Sequence, residues 1–266
     1  MPELRILYAI FSFIFGAVFA SFAGVVAYRM PKGISIVKPD SYCPNCKKSI
    51  KGIDNIPILS WILLGGKCRS CKEKIGVFSL LCEIFGGLGF MFAYLQYGDK
   101  TRTLPIFIAL MLLVFLFIII AGIDHETHDI YNITLILYAA IAVFITFYRC
   151  AVLKGDIFEY IFGALFGFGF FGAIKLVAKL ILKKEALGSG DIHLVGIGGF
   201  IVGVLPLLIS IIVATLLGSV IEIIKIKTSK TEREAEIAFG PYLLLGLGLM
   251  SIFGDTFMRI YWEVLL

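Results

Sequence analysis

Two acids mark the places where this chain could do chemistry. Asp124 falls in "IIIAGIDHETHDIYN" and Asp191 in "EALGSGDIHLVGIGGFIVGVLP", each at the edge of a long apolar run. Ionisable groups at or inside an apolar helical bundle are costly to place, so each is a functional candidate. Two carboxylates brought face to face cannot both ionise easily; they share a proton, which leaves one as base and the other as acid near neutral pH. Such a pair can drive water into a peptide carbonyl and then protonate the leaving amine, with no metal and no covalent intermediate. Gly188 and Gly190 just ahead of Asp191 leave room for a substrate backbone or allow the loop a positive φ. Taken singly, each acid has a plainer reading. Asp191 before an apolar run is a natural helix N-cap, and Asp124 is one member of a polar turn with His125, Glu126, His128 and Asp129. Their matched depth in the chain's apolar pattern is what makes them a candidate pair.

A second constellation lies in "CPNCKKSIKGIDNIPILSWILLGGKCRSCKEKI", where Cys43, Cys46, Cys68 and Cys71 form two C-x-x-C pairs separated by 21 residues. Each tight turn aims two sulfurs at one point, and four thiolates suit a tetrahedral structural zinc with no open position for catalysis. Two disulfides are the other possibility, one that a reducing compartment disfavours. Cys82 and Cys150 sit in apolar surroundings and are expected to be packing residues. His125 and His128 are three positions apart, so they do not form the H-E-x-x-H helix of a metalloprotease, and the third histidine is His193.

The elements that must position these groups follow from composition. Apolar residues make up 59% of the 266 residues, with 24 Phe and 28 Gly, and the mean hydropathy is +0.97; together these exclude a soluble domain and indicate an all-α polytopic membrane protein. Stretches of the length a bilayer requires recur near 6–28, 76–98, 104–123, 132–150, 157–182 and 238–262. The stretch 192–226 is too long for one span and contains Pro206, which predicts two shorter helices with a break there. The expectation is a bundle of about eight spans, or seven if Pro206 only kinks a helix. The first segment, although "AVFASFA" loosely suggests a cleavage site, is expected to be a retained helix.

Between residues 29 and 75 lie ten Lys or Arg and three Asp or Glu, which the positive-inside rule assigns to the cytoplasm. Counting spans from there puts 124–131, 183–191 and 225–237 on the same side, in keeping with Lys183, Lys184, Lys225, Lys227, Lys230 and Arg233. The apolar "NIPILSWILLGG" between the knuckles is too short to span and is expected to lie on the membrane surface or against the cysteine ribbon. Glu83, a turn or two into an apolar helix, either pairs with a loop Arg or Lys or helps position a cofactor.

At this point the sequence resembles a known family, the type IV prepilin peptidases, which are bifunctional leader peptidases and N-methyltransferases of pilus and type II secretion systems. "ASFAGVVAYRMP" (20–31) is similar to the family's first-helix ending, and the cysteine loop carries its D-N-I-P-x-L-S-W core at Asp54 to Trp61. "LLCEIFGG" places Glu83 where the family has its glutamate, "GIDHETHDIYN" places the first catalytic aspartate on Asp124, and "LGSGD" matches the G-x-G-D motif at Asp191. "IAFGPYLLLG" (237–246) resembles the P-F-G-P-x-L motif of the last helix. Two departures stand out. Tyr131 precedes Asn132 where the family has proline, and Ala23-Gly24 replaces the usual L-N in the half associated with methyl transfer.

The resemblance implies an N-terminal part, residues 1–98, carrying the cytoplasmic zinc loop (29–75) and associated with methyl transfer, and a peptidase core over 99–266. It implies cleavage of prepilin or pseudopilin leaders after a glycine at the cytoplasmic face of the bacterial cell membrane, followed by methylation of the new amino-terminus with S-adenosylmethionine. The expected partners are those substrates and the lipid bilayer, not nucleic acid. A transporter or scaffold using the zinc ribbon as a docking module would explain the spans and cysteines equally well. It leaves the G-x-G-D sequence and the ordered motifs unexplained.

Overall fold

The structure, a computed structural model, describes residues 2–183, 188–229 and 238–265. Lys184, Lys230 and Arg233, with the rest of 184–187 and 230–237, lie outside the described residues. Among the described residues there are nine α-helices and no β-strand, with two isolated bridges in the cysteine loop. Seven helices are long and apolar enough to cross a membrane. They are α1 (Pro2–Arg29), α3 (Val77–Ala93, continued by a π-helical turn Tyr94–Gly98), α4 (Leu104–Thr127), α5 (Asn132–Leu153), α6 (Ile157–Leu182), α8 (Val204–Ser229) and α9 (Gly240–Leu265). Two shorter ones are α2 (Leu59–Leu63), within the cysteine loop, and α7 (Ser189–Val202).

The 192–226 stretch does divide in two, but not at the proline. The break falls at Gly203, whose φ of 81° is open to glycine and strained for other residues. Pro206 instead sits in the first turn of α8, where the amides lack helical partners anyway and a proline is tolerated.

Lipid tails are as apolar as leucine, so helices in a bilayer associate through close packing rather than through hydrophobic exclusion. Small residues make that packing possible here. Gly16 on α1 faces Gly86 and Phe90 on α3, and Ala27 on α1 lies against Gly122 on α4. The seam between α6 and α7 is glycine against glycine: Gly163 on Gly199 and Gly203, and Gly167 on Val195 and Gly196. Gly218 of α8 receives the Tyr242 ring of α9, and Pro206 lies beside Gly254. Helix α4 runs through the centre, with Ile106, Leu110, Leu113, Ile120 and Ile123 almost fully buried. Helices α1 and α6 turn apolar faces outward, as at Ile6, Phe11, Phe162 and Ile181.

These pairings fix which helix ends share a side. α1 ends at Arg29 and enters the cysteine loop, from which α3 returns antiparallel to α1, Tyr8 against Tyr94. α4 runs parallel to α1, with Phe22 on Phe115 and Ala27 on Gly122, so its C-terminus lies at the loop end. α7 starts at that end, Gly190 packing on Ile130 just beyond α4, and so does α9, whose Gly240 meets Asp124.

Candidate active site and metal centre

Asp124 lies in the last turn of α4, one turn further inside the helix than the apolar pattern suggests. The helix ends at His128 in a left-handed conformation (φ 56°), whose N–H bonds the Asp124 carbonyl at 2.9 Å. His125, on the other face of that turn, stacks on Phe78 of α3 at 4.2 Å between ring centroids; it is a packed aromatic, not an unpartnered turn residue. The Asp124 carboxylate is 5% exposed, and its Oδ2 is buried without a hydrogen-bond partner. The Gly240 backbone at the start of α9 closes over it so tightly that a methyl group at Gly240 would stand 2.6 Å from Oδ2.

Asp191 occupies the first turn of α7, where a negative charge is favoured by the helix dipole. It is not the N-cap. Gly188 holds that position, with no side-chain hydrogen bond, and a methyl group there would lie 3.3 Å from Asp191 Oδ2. Gly190 fits only because it has no side chain, since a methyl group would stand 2.8 Å from Ile130 Cβ. The loop after α4 thus seats the start of α7. Although 67 positions separate the two acids in sequence, the Asp191 carboxylate lies within electrostatic reach of Asp124. His128 and Asp129 are the other charged groups near Asp124.

The cysteine loop is built from two matching turns. In "CPNCK" the Cys43 N–H bonds Lys48 O (3.0 Å) and the Lys47 N–H bonds Cys43 O (2.9 Å); in "CRSCK" the Cys68 N–H bonds Glu73 O (2.8 Å) and the Lys72 N–H bonds Cys68 O (3.0 Å). Lys47 and Lys72 both take positive φ, 59° and 60°. Repeating this left-handed residue at the same place in both knuckles turns all four sulfurs inward. The ligand atoms of Cys43, Cys46, Cys68 and Cys71 lie within 4.8 Å of one another, and Cys43 Sγ and Cys71 Sγ are 3.8 Å apart. A tetrahedral ion with bonds of about 2.3 Å to sulfur requires sulfurs about 3.8 Å apart, so this set could hold a metal ion and is too open for disulfides. Backbone N–H groups of Cys71 and then Ser70 hold the Cys68 thiol down at about 6, whereas Cys71, despite the Glu73 N–H, is pushed up to about 11 by desolvation and the neighbouring sulfurs; a metal would take all four as thiolates. The second knuckle is tied to the Gly52–Asn55 turn by the forked ion pair of Arg69 on Asp54 (2.6 and 2.8 Å), which holds the Asp54 carboxyl below the usual carboxylate range.

Glu83 is buried in α3 and accepts the Ile58 N–H at 2.7 Å; its partner is a loop backbone, not a loop Arg or Lys. Ile58 itself sits at φ 64°, ψ −55°, in a three-residue turn closed by Leu59 N–H on Pro57 O at 2.6 Å. That conformation costs a β-branched residue roughly 1–3 kcal/mol, and the buried glutamate holds it in place. Around it Ile53, Leu59, Ile62 and Leu63 stand exposed, Leu63 at 80%. Cys82 is buried, as expected of a packing residue, and Cys150 is half-buried.

Sequence reasoning missed Gly240 as the wall of the Asp124 pocket, and it missed Arg149, which it passed over at the end of the 132–150 apolar stretch. Arg149 is buried within α5, and the only signal for it was a single cation one turn before the end of an apolar run.

The class these features define is a polytopic membrane protein with two carboxylates at one end of the bundle and, in a loop at that same end, four cysteines that could hold a metal. Residues 14–97 match the bacterial peptidase A24 N-terminal domain and residues 100–223 match the type IV leader peptidase family. The chain is 30% identical to a type 4 prepilin-like proteins leader peptide-processing enzyme of Escherichia coli, over 90% of this chain and 91% of the relative. It is 27% identical to a prepilin leader peptidase/N-methyltransferase of Pseudomonas aeruginosa (92% and 90% covered) and 28% identical to one of Bacillus subtilis (94% and 96%). No solved structure matches. The chain belongs to the type IV leader peptidase family.

Proposed function

We propose that the protein is a multi-pass enzyme of the bacterial inner membrane that removes the leader from type IV prepilins or pseudopilins, with Asp124 and Asp191 as its catalytic pair. What supports this reading is the placement of the two acids at one end of the bundle, Asp191 within electrostatic reach of Asp124 and Asp124 buried against the Gly240 backbone. The carboxylate of the pair takes a proton from water as the oxygen attacks the scissile carbonyl. The protonated partner then gives its proton to the leaving nitrogen as the carbon–nitrogen bond breaks. Gly190 lets the start of α7 seat against Ile130, and Gly188 leaves the Asp191 carboxylate uncrowded by a side chain. The basic composition of 29–75 supports a cytoplasmic location for this end of the bundle, which is where a basic leader ahead of an apolar stem would be found.

The four cysteines hold a structural zinc that orders the loop, supplying cross-links rather than catalysis. The names of two relatives include N-methyltransferase, and on this reading the new amino-terminus is methylated with S-adenosylmethionine as donor. Residues 1–98 are assigned to that step and 99–266 to proteolysis. Glu83 serves the loop through Ile58. A transporter or scaffold is not favoured, because neither needs a pair of acids fitted against glycine backbones.

The test is reconstitution in liposomes with a purified prepilin and methyl-labelled donor. Cleavage at the leader boundary and label on the new amino-terminus are expected from the unaltered protein, and no cleavage from Asp124→Asn or Asp191→Asn. Normal cleavage by either variant would overturn the assignment of the pair, and cleavage without label would remove the second activity.

A further inference from the structure

At the end of the bundle opposite the carboxylates, a second polar cluster joins four elements. Arg149 of α5, 3% exposed, donates from Nη1 to Ile201 O of α7 (2.8 Å) and from Nη2 to Ser251 O of α9 (3.2 Å) and to the Tyr97 hydroxyl of the π-helical turn (3.3 Å). Its Nη2 is also 3.6 Å from Asp255 Oδ2, which accepts the Tyr97 hydroxyl at 2.8 Å. One turn earlier on α5, the Thr146 hydroxyl donates to Phe200 O at 2.5 Å.

The geometry of α7 explains why such a cluster is needed. With 14 residues the helix is about 21 Å long, too short for a hydrocarbon core of about 30 Å, so its last carbonyls end at a depth where water cannot satisfy them. They are satisfied in succession. Gly199 O accepts the Gly203 N–H (2.9 Å), Phe200 O accepts Thr146, and Ile201 O accepts Arg149. Along its length α7 meets α6 through glycine against glycine, a seam that brings backbones close and carries no hydrogen-bonding side chain. Asp191 stands ten residues from Ile201 on the same unbroken helix, about 15 Å along its axis. A rigid rod held at one end presents the other end at a fixed height.

We infer that Arg149, with Thr146, is a positioning residue for Asp191: by holding the far carbonyls of the short helix α7 it sets the height at which that carboxylate meets Asp124. The inference rests on the reading of Asp191 as one of the catalytic pair. It gives a cation buried in a membrane-spanning helix, costly in itself, a role that an apolar side chain of similar size would not perform.

The experiment uses the full chain in liposomes with a prepilin substrate and compares Thr146→Val, Arg149→Lys, Arg149→Ala and Asp191→Asn. Turnover is expressed per folded enzyme and followed against pH. The titratable groups around the pair are His128 and Asp129 at the end of α4 and in its following loop, and His193 on α7 itself; α9 presents the Gly240 backbone. A displacement of about 1 Å can cost on the order of 100-fold in rate. Arg149→Ala is therefore expected to lose about that much in kcat, Thr146→Val about 3- to 10-fold, and Arg149→Lys an intermediate amount, with KM within about twofold. In the same variants the acid and alkaline limbs of the pH profile draw together, because the two carboxylates interact less. A variant that only lowered the folded fraction would leave the profile and the kcat of folded enzyme unchanged. That result in Thr146→Val and Arg149→Lys, or full activity in Arg149→Ala, overturns the inference while Asp191→Asn remains inactive. An active Asp191→Asn overturns the reading beneath it instead.

Discussion

Gly240→Ala introduces one methyl group at the wall of the Asp124 pocket. That methyl carbon would stand 2.6 Å from Asp124 Oδ2 and 3.1 Å from Cγ, whereas ordinary contact begins at 3.4 Å. The neighbouring atoms are the carboxylate itself, buried on the last turn of α4, so relief requires the carboxylate to move by about 0.8 Å or α9 to back away by a similar distance. Misplacement on this scale costs on the order of 100-fold in rate, equivalent to about 2.7 kcal/mol of transition-state stabilisation. Alanine is a better helix former than glycine by up to about 1 kcal/mol, so the folded protein is expected to melt within a few degrees of the unaltered one. Gly188→Ala is the internal comparison. Its methyl carbon would lie 3.3 Å from Asp191 Oδ2, which a small side-chain rotation relieves, and a loss of no more than about tenfold is expected. The assay is the initial rate of prepilin cleavage in liposomes, normalised to folded protein by thermal melting. Equal rates for Gly240→Ala and the unaltered enzyme would refute the reasoning, because the carboxylate at the bottom of that pocket would then be free to move without consequence.

Two further expectations concern stability and the metal. Gly163→Leu drives a side chain into the Gly199 and Gly203 backbone and is expected to destabilise the bundle by about 1–3 kcal/mol, read as a lower melting temperature; Gly172→Leu on the same helix meets nothing within 4 Å and should be neutral. The purified protein is expected to carry one zinc per chain and to lose it on Cys43→Ser or Cys71→Ser, as measured by elemental analysis. Metal binding displaces protons from the four thiols, so the apparent zinc affinity, measured by competition with a chromogenic chelator, is expected to fall as the pH is lowered. An affinity independent of pH would contradict the four-thiolate assignment.

Much of this arrangement was legible in the sequence, and the parts that were not share a physical cause. Apolar run length located the seven long helices to within a few residues, because a bilayer imposes one length on every span. The two C-x-x-C pairs announced their own convergence, since a knuckle is a local structure. The proximity of Asp124 and Asp191 could be inferred only as a matter of depth, and their seating against Gly240 and Ile130 depends on helix pairings that no local pattern encodes. Pro206 was misleading because a proline serves equally well to end a helix and to begin one, and the turn was made by Gly203 instead. Arg149 read as the exit of a helix, because its partners come from the backbones of α7 and α9, 52 and 102 positions away.

The central claim is that two distant carboxylates work as one unit, and a cycle of three variants tests it most directly. Cleavage rates would be measured for Asp124→Asn, Asp191→Asn and the double substitution in the same liposomes. Groups that share one proton in one step are grossly non-additive, so each single variant should already lose nearly all activity and the double variant should lose little more. Losses that multiply, or a single variant that retains substantial activity, would mean that the two acids act separately.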